Sequence, residues 1–115
     1  ALITDLKQRG MLEDTLVIWG GEFGRTPMSQ GTGRDHHTKS GSMFLAGGGI
    51  KRGALVGKTT PNGAWVDDGE YDIGHLFHTI FKAIGIDSKK TEYHNNGQPL
   101  PIAHDDMHVI KELLA

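Results

Sequence analysis

At 115 residues the chain has room for one domain with a single modest core, which excludes two catalytic lobes. Twelve Lys and Arg against fourteen Asp and Glu leave a net charge of -2, so no basic field exists to hold nucleic acid or an anionic membrane through phosphate contacts. The absence of Cys rules out disulfides, thiolate zinc sites and a thiol nucleophile, so His and carboxylate must carry any metal chemistry.

Leu2, Ile3 and Leu6 recur at helical spacing among Asp5, Lys7, Gln8 and Arg9, and Gly10 supplies a stop; this predicts the end of an amphipathic helix over residues 1 to 10. The sequence starts inside that helical pattern and without Met. The expectation is therefore a single domain over residues 1–115 that forms the C-terminal part of a longer parent. No apolar run approaches the roughly 20 residues of a membrane span, and the first residues lack a basic segment followed by an apolar core. After a polar Glu13-Asp14 turn, Thr15 to Trp19 is continuously apolar and β-branched, which suits a central strand covered on both faces of a parallel sheet. That strand empties into Gly20-Gly21-Glu22-Phe23-Gly24-Arg25, and ligands gather outside the carboxyl ends of strands in open α/β sheets.

Ser42 to Ala46 predicts a second buried strand, ending in Gly47 to Gly49. Over residues 50 to 71 a loop or small hairpin excursion is expected, with Pro61-Asn62-Gly63 as its turn. Ile73, Leu76, Phe77, Ile80, Phe81 and Ile84 share one helical face, and Gly85 closes the helix. Asn95-Asn96-Gly97 predicts a hairpin turn between Thr91–Tyr93 and Gln98–Ile102, where Pro99 and Pro101 demote the second arm to an edge strand. A short helix over Met107 to Leu114 closes the chain, which carries no internal repeat or low-complexity tract.

Chemistry concentrates in two polar blocks, WGGEFGRTP from Trp19 to Pro27 and GRDHHTKS from Gly33 to Ser40. A divalent ion needs oxygen or imidazole ligands on backbone that can turn sharply, and Glu22, Asp35, His36 and His37 provide such atoms. Neighbouring residues on extended backbone face opposite sides, so His36 and His37 are not expected to share one ion. Arg25 and Arg34 are natural clamps for phosphate, sulfate or carboxylate, with Thr26, Thr38 and Ser40 as hydroxyl donors. Plainer roles compete: Glu22 as a solvating loop carboxylate paired with Arg25, His75 and His78 as boundary histidines of the helix, and Asp105 or Asp106 as an N-cap near His104 and His108. The triple glycine lacks the lysine and hydroxyl of a phosphate-binding loop, and a tight turn accounts for it. No GxSxG elbow exists, and neither Ser40 nor Ser42 ends a strand that enters a helix, so no nucleophile presents itself.

The order of these elements, LEDTLVIW, a Gly-acid-x-Gly loop, a His-Thr pair, an apolar strand and GHLFHTIFKAIGI, resembles the C-terminal part of an alkaline phosphatase and sulfatase superfamily protein. More narrowly, GGEFGRTP with GRDHH and LAGGGIKRG resembles the bacterial family called domain of unknown function 1501, often labelled sulfatase-like. The resemblance covers nearly the whole chain. It implies the C-terminal part of a three-layer α/β/α fold with a mostly parallel sheet and a small hairpin excursion. It also implies that Glu22 inherits a carboxylate ligand position and His37, beside Thr38, an imidazole one, for a zinc, calcium or manganese ion. Phe23 stands where relatives carry a His or Asn ligand, a departure from the two-metal pattern. The superfamily's nucleophile lies far N-terminal of this region, so the expected function is half of a metal-dependent sulfate- or phosphate-ester hydrolase. Such a segment is inactive alone, acts on an anionic ester only with the N-terminal part of its parent, and derives from an exported protein. A non-catalytic binding or structural module on the same scaffold is the alternative. Separation from the rest of such a domain would expose sheet edges, from which homodimerisation of the isolated chain is expected.

Overall fold

The computed structural model, which describes residues 1–115, begins with helix α1 (Leu2–Gln8), a 3-10 turn at Leu12–Asp14 and strand β1 (Leu16–Gly20). Helix α1 stops where Gly10 takes φ +69, a left-handed conformation that lets the Met11 N–H reach back to the Leu6 carbonyl at 2.8 Å. Strands β2 (Gly24–Gln30) and β3 (Gly33–His37) form a hairpin, and β4 (Met43–Gly47) follows. Strands β5 (Lys58–Thr59) and β6 (Val66–Asp68) make a second hairpin around Pro61-Asn62-Gly63, then helix α2 (Ile73–Ala83) leads to a third hairpin, β7 (Glu92–Asn95) and β8 (Gln98–Pro101). In that last hairpin Asn96 and Gly97 have φ of 51° and 83°, the pair of positive values that a type I′ turn requires. A 3-10 turn at Lys111–Leu113 replaces the helix expected over the C-terminal tail.

The expected mostly parallel sheet of a three-layer α/β/α fold is not what the chain forms. Its extended segments pair as four separate two-stranded ladders, all antiparallel. The cause lies in the connections. Parallel neighbours need a crossover of a dozen or more residues, usually a helix, and no helix stands between β1 and β4. The intervening segment instead folds into the β2–β3 hairpin, which returns the chain so that β4 runs back along β1, with Trp19 opposite Phe44 and Ile18 opposite Leu45. Much of the two polar blocks thus forms strands, β2 from Gly24 and β3 to His37, and β1 is not a covered central strand: Trp19 is 69% and Phe44 50% exposed. A lone two-stranded ladder cannot cover its own faces. The radius of gyration, 16.8 Å, accordingly exceeds the roughly 13 Å of a closely packed domain near this length.

The buried residues are more polar than apolar: Ile50, Leu76 and Ile110 supply the hydrocarbon, whereas His37, His78, Thr79 and Ser88 are also buried. Asp72 and His75 start α2 as a reciprocal capping pair, in which the Asp72 carboxylate accepts from the Gly74 N–H and His75 Nδ1 accepts from the Asp72 N–H at 3.0 Å. One turn on, the Thr79 hydroxyl donates to the His75 carbonyl and accepts from the Ile110 N–H at 2.8 Å, tying the C-terminal segment to the helix. No buried side-chain nitrogen or oxygen lacks a partner, so these polar groups avoid the roughly 1–3 kcal/mol that each unsatisfied group would cost. The apolar stripe read on α2 is only partly inside: Leu76 is buried, but Ile73, Phe77 and Ile84 face solvent. No helix is long and apolar enough to cross a membrane.

Candidate functional site

Strands β2 and β3 bring the two polar blocks together. Their register sets Gly24 opposite His37, Arg25 opposite His36, Ser29 opposite Arg34 and Gln30 opposite Gly33, with an irregularity between Arg25 and Ser29 that accommodates Thr26, Pro27 and Met28. Side chains alternate along a strand, so Arg34 and His36 share one face of β3 while Asp35 and His37 share the other. Directly opposed residues belong to the same face, which adds Arg25 to Arg34 and His36. At about 5 Å across the ladder and about 7 Å between alternate residues, the three Cα atoms lie within roughly 10 Å of one another.

Local packing orders part of this face. The Phe23 and His36 rings stack with centroids 4.1 Å apart, and the Arg25 guanidinium carbon stands 4.8 Å from the Phe23 centroid. A guanidinium held against an aromatic ring keeps its N–H edge available to a planar acceptor. Arg25 also donates to the Gly24 carbonyl at 3.3 Å. The chain's four ion pairs, Arg9–Asp5, Arg52–Glu13, Lys58–Asp67 and Lys90–Asp87, leave Arg25 and Arg34 without a carboxylate. Two exposed guanidiniums free of intramolecular carboxylates, beside an exposed imidazole, make a face suited to an oxoanion.

The structure does not gather the four residues expected to hold a metal. His37 is 5% exposed and both its ring nitrogens are engaged: Nδ1 accepts from the Lys39 N–H at 3.1 Å, so Nε2 carries the proton and donates to the Gly63 carbonyl at 3.0 Å. A ring that uses both nitrogens within the fold has no lone pair for an ion. Asp35 accepts from the His36 N–H at 2.8 Å, His36 lies against Phe23, and Glu22 is exposed in the bend between β1 and β2. No three His, Asp or Glu side chains anywhere in the chain are grouped to hold an ion. Thr38 lies just past β3 and is exposed, without an intramolecular partner for its hydroxyl, whereas the Thr26 hydroxyl accepts from the Met28 N–H at 3.2 Å.

A family model described as "Protein of unknown function (DUF1501)" matches residues 1–114. The chain belongs to that family. It matches no curated protein and no solved structure.

Other polar features lie outside the hairpin. Tyr71, His75 and His108 pack edge to face at the start of α2, with the His75 and His108 centroids 4.7 Å apart. Desolvation, reinforced by the charge of Glu112, the hydrogen bond to it at 3.4 Å and the more distant charge of Asp68, raises the Tyr71 phenol above its ordinary value. A concavity of about 500 Å³ runs between α2 and the β7–β8 hairpin along Ile73, Phe77, Tyr93 and Leu100, away from the cationic face. Sequence periodicity did not single out His78 as buried. It is 1% exposed, with Nδ1 2.6 Å from the Ser88 Oγ and Nε2 2.6 Å from the His104 carbonyl. The outward signal was only its place one residue before the buried Thr79, two after Leu76 and four after Gly74.

Proposed function

We propose that this member of the DUF1501 family is the anion-recognising segment of a sulfate- or phosphate-ester hydrolase of the alkaline phosphatase and sulfatase superfamily. Arg25 and Arg34 engage the charged oxygens of the ester, and His36 and Thr38 supply further donors. The observation that carries this reading is the pair of unpaired guanidiniums on one exposed face of the β2–β3 hairpin. A guanidinium presents two N–H groups in the geometry of two oxygens of sulfate or phosphate, and a hydrolase gains rate when such donors meet charge that develops in the transition state. In this proposal the attacking group for the sulfate or phosphate ester and any metal ligands belong to other parts of the parent, which is exported, and the segment alone turns over no sulfate or phosphate ester. No step is assigned to Glu22, Asp35 or His37. The use of both His37 nitrogens inside the fold favours a second reading, a non-catalytic anion-binding module.

Titration of the isotope-labelled chain with inorganic sulfate and phosphate, followed by amide chemical shifts, tests the shared part of both readings. Shifts should concentrate in residues 24–37, and Arg25→Ala or Arg34→Ala should each weaken binding about fivefold, equivalent to roughly 1 kcal/mol for an exposed charge-assisted contact. Shifts confined to other regions, or unchanged affinity in the double variant, would overturn the assignment. The parent protein then separates the readings: ester turnover lost in Arg25→Ala supports the hydrolase, and anion binding without turnover supports the module.

A further inference from the structure

We infer that Ser88 is a nucleophile activated by His78, forming a site for acyl transfer that is separate from the cationic hairpin. The carbonyl of His104 can only accept a hydrogen bond, so His78 Nε2 carries the ring proton and donates to it at 2.6 Å. In the neutral ring Nδ1 is then the unprotonated nitrogen, and the Ser88 hydroxyl, 2.6 Å away, donates to it. A hydroxyl donating to an imidazole, which is itself oriented through its second nitrogen by a fixed acceptor, is the arrangement that activates serine nucleophiles. Burial holds it in place: His78 is 1% and Ser88 6% exposed, and the ring comes from the regular turns of α2.

The pair is not sealed. His78 and Ser88 both line a pocket of about 220 Å³, together with Lys82, Asp87, Lys89 and His108. Lys89 is anchored through its ammonium to the Asp105 carbonyl at 2.6 Å, and Lys82 makes no ion pair. The Ser88 backbone N–H has no acceptor within the chain and is available to a developing oxyanion. The step balances with an activated carboxylic ester as co-reactant. The Ser88 Oγ forms a bond to the acyl carbon while its proton passes to His78 Nδ1. The ester C–O bond breaks, and the leaving alcohol or phenol departs with its electron pair and takes up the proton from His78. Sequence inspection passed over Ser88 because no local motif surrounds it; its base lies ten residues upstream on a helix and its orienting carbonyl sixteen residues downstream.

The test uses the whole chain and p-nitrophenyl acetate. Expected are a burst of nitrophenolate approaching one equivalent and an acetyl group mapped by mass spectrometry to Ser88, absent in Ser88→Ala. Replacement of the base in His78→Gln should slow acetylation of Ser88 by about 100-fold or more, the usual contribution of a general base. Acetylation confined to lysines, Ser88 labelling at equal rate in His78→Gln, or labelling that persists when the wild-type chain is unfolded in urea would each overturn the inference. The urea comparison needs only the wild-type chain, so it decides the matter even if His78→Gln does not fold.

Discussion

Replacing His37 by Ala separates two roles for this residue, metal ligand and internal brace. In the structure His37 bonds the end of β3 to the Lys39 amide at 3.1 Å and to the Gly63 carbonyl in the turn between β5 and β6 at 3.0 Å. Truncation removes both hydrogen bonds, worth about 1 kcal/mol each, and leaves the Lys39 N–H and Gly63 carbonyl to find water or go without. Loss of a ring that is only 5% exposed adds a packing term, so the expected cost is about 2–4 kcal/mol. For a chain of 115 residues that corresponds to a fall in Tm of roughly 8–16 °C. Urea unfolding followed by circular dichroism gives the free energy, and an unchanged m-value confirms that stability and not compactness has moved. Thr38→Ala, at the exposed neighbouring position, should stay within about 0.5 kcal/mol and serves as the control. A loss below about 0.5 kcal/mol in His37→Ala would refute the bracing argument, as would a fully stable variant that no longer bound zinc.

Zinc or manganese added to the chain should leave its Tm unchanged, because Glu22, Asp35, His36 and His37 do not converge; a rise abolished by His37→Ala would contradict this. Gly47→Ala should cost more than about 3 kcal/mol, since the residue has φ +105 and a Cβ there would clash with the Thr15 carbonyl oxygen, whereas Gly33→Ala, with open space around it, should change stability by about 0.5 kcal/mol or less. The raised Tyr71 phenol is favoured neutral in the fold, so its contribution is complete below the ordinary value near pH ~10 and is lost as pH rises through the folded value. Glu112→Gln should bring the Tyr71 transition to lower pH in a titration of phenolate absorbance, read in a Tyr93→Phe background; an unmoved transition would contradict the assigned causes. The exposed Trp19–Phe44 pair on an isolated ladder predicts a concentration-dependent dimer in sedimentation velocity, and monomers at every concentration would count against it.

Local signals were legible wherever neighbouring residues dictate backbone geometry. The stop at Gly10, the Asn95-Asn96-Gly97 turn, the Pro61-Asn62-Gly63 turn and the apolar spacing of α2 each identify a conformation without help from the rest of the chain. Arg25 and Arg34 were equally visible as guanidiniums able to pair with an anion, because guanidinium chemistry does not depend on the fold. Pairing was not visible. Thr15–Trp19 and Ser42–Ala46 are apolar enough for buried parallel strands, yet direction depends on what the intervening chain does, and a hairpin between them makes the ladder antiparallel. The same tertiary choices decided the histidines. His37 and His36 are adjacent and chemically alike, but strand alternation sends one inward to the Gly63 carbonyl and leaves the other against Phe23. His78 looked like a boundary residue until the loop carrying Ser88 and the segment carrying His104 closed over α2 and used both its nitrogens. Sequence alone determined which chemical groups the protein owns and where its backbone turns; tertiary structure decided which groups meet, because hydrogen bonds between residues far apart in the chain have no local signature.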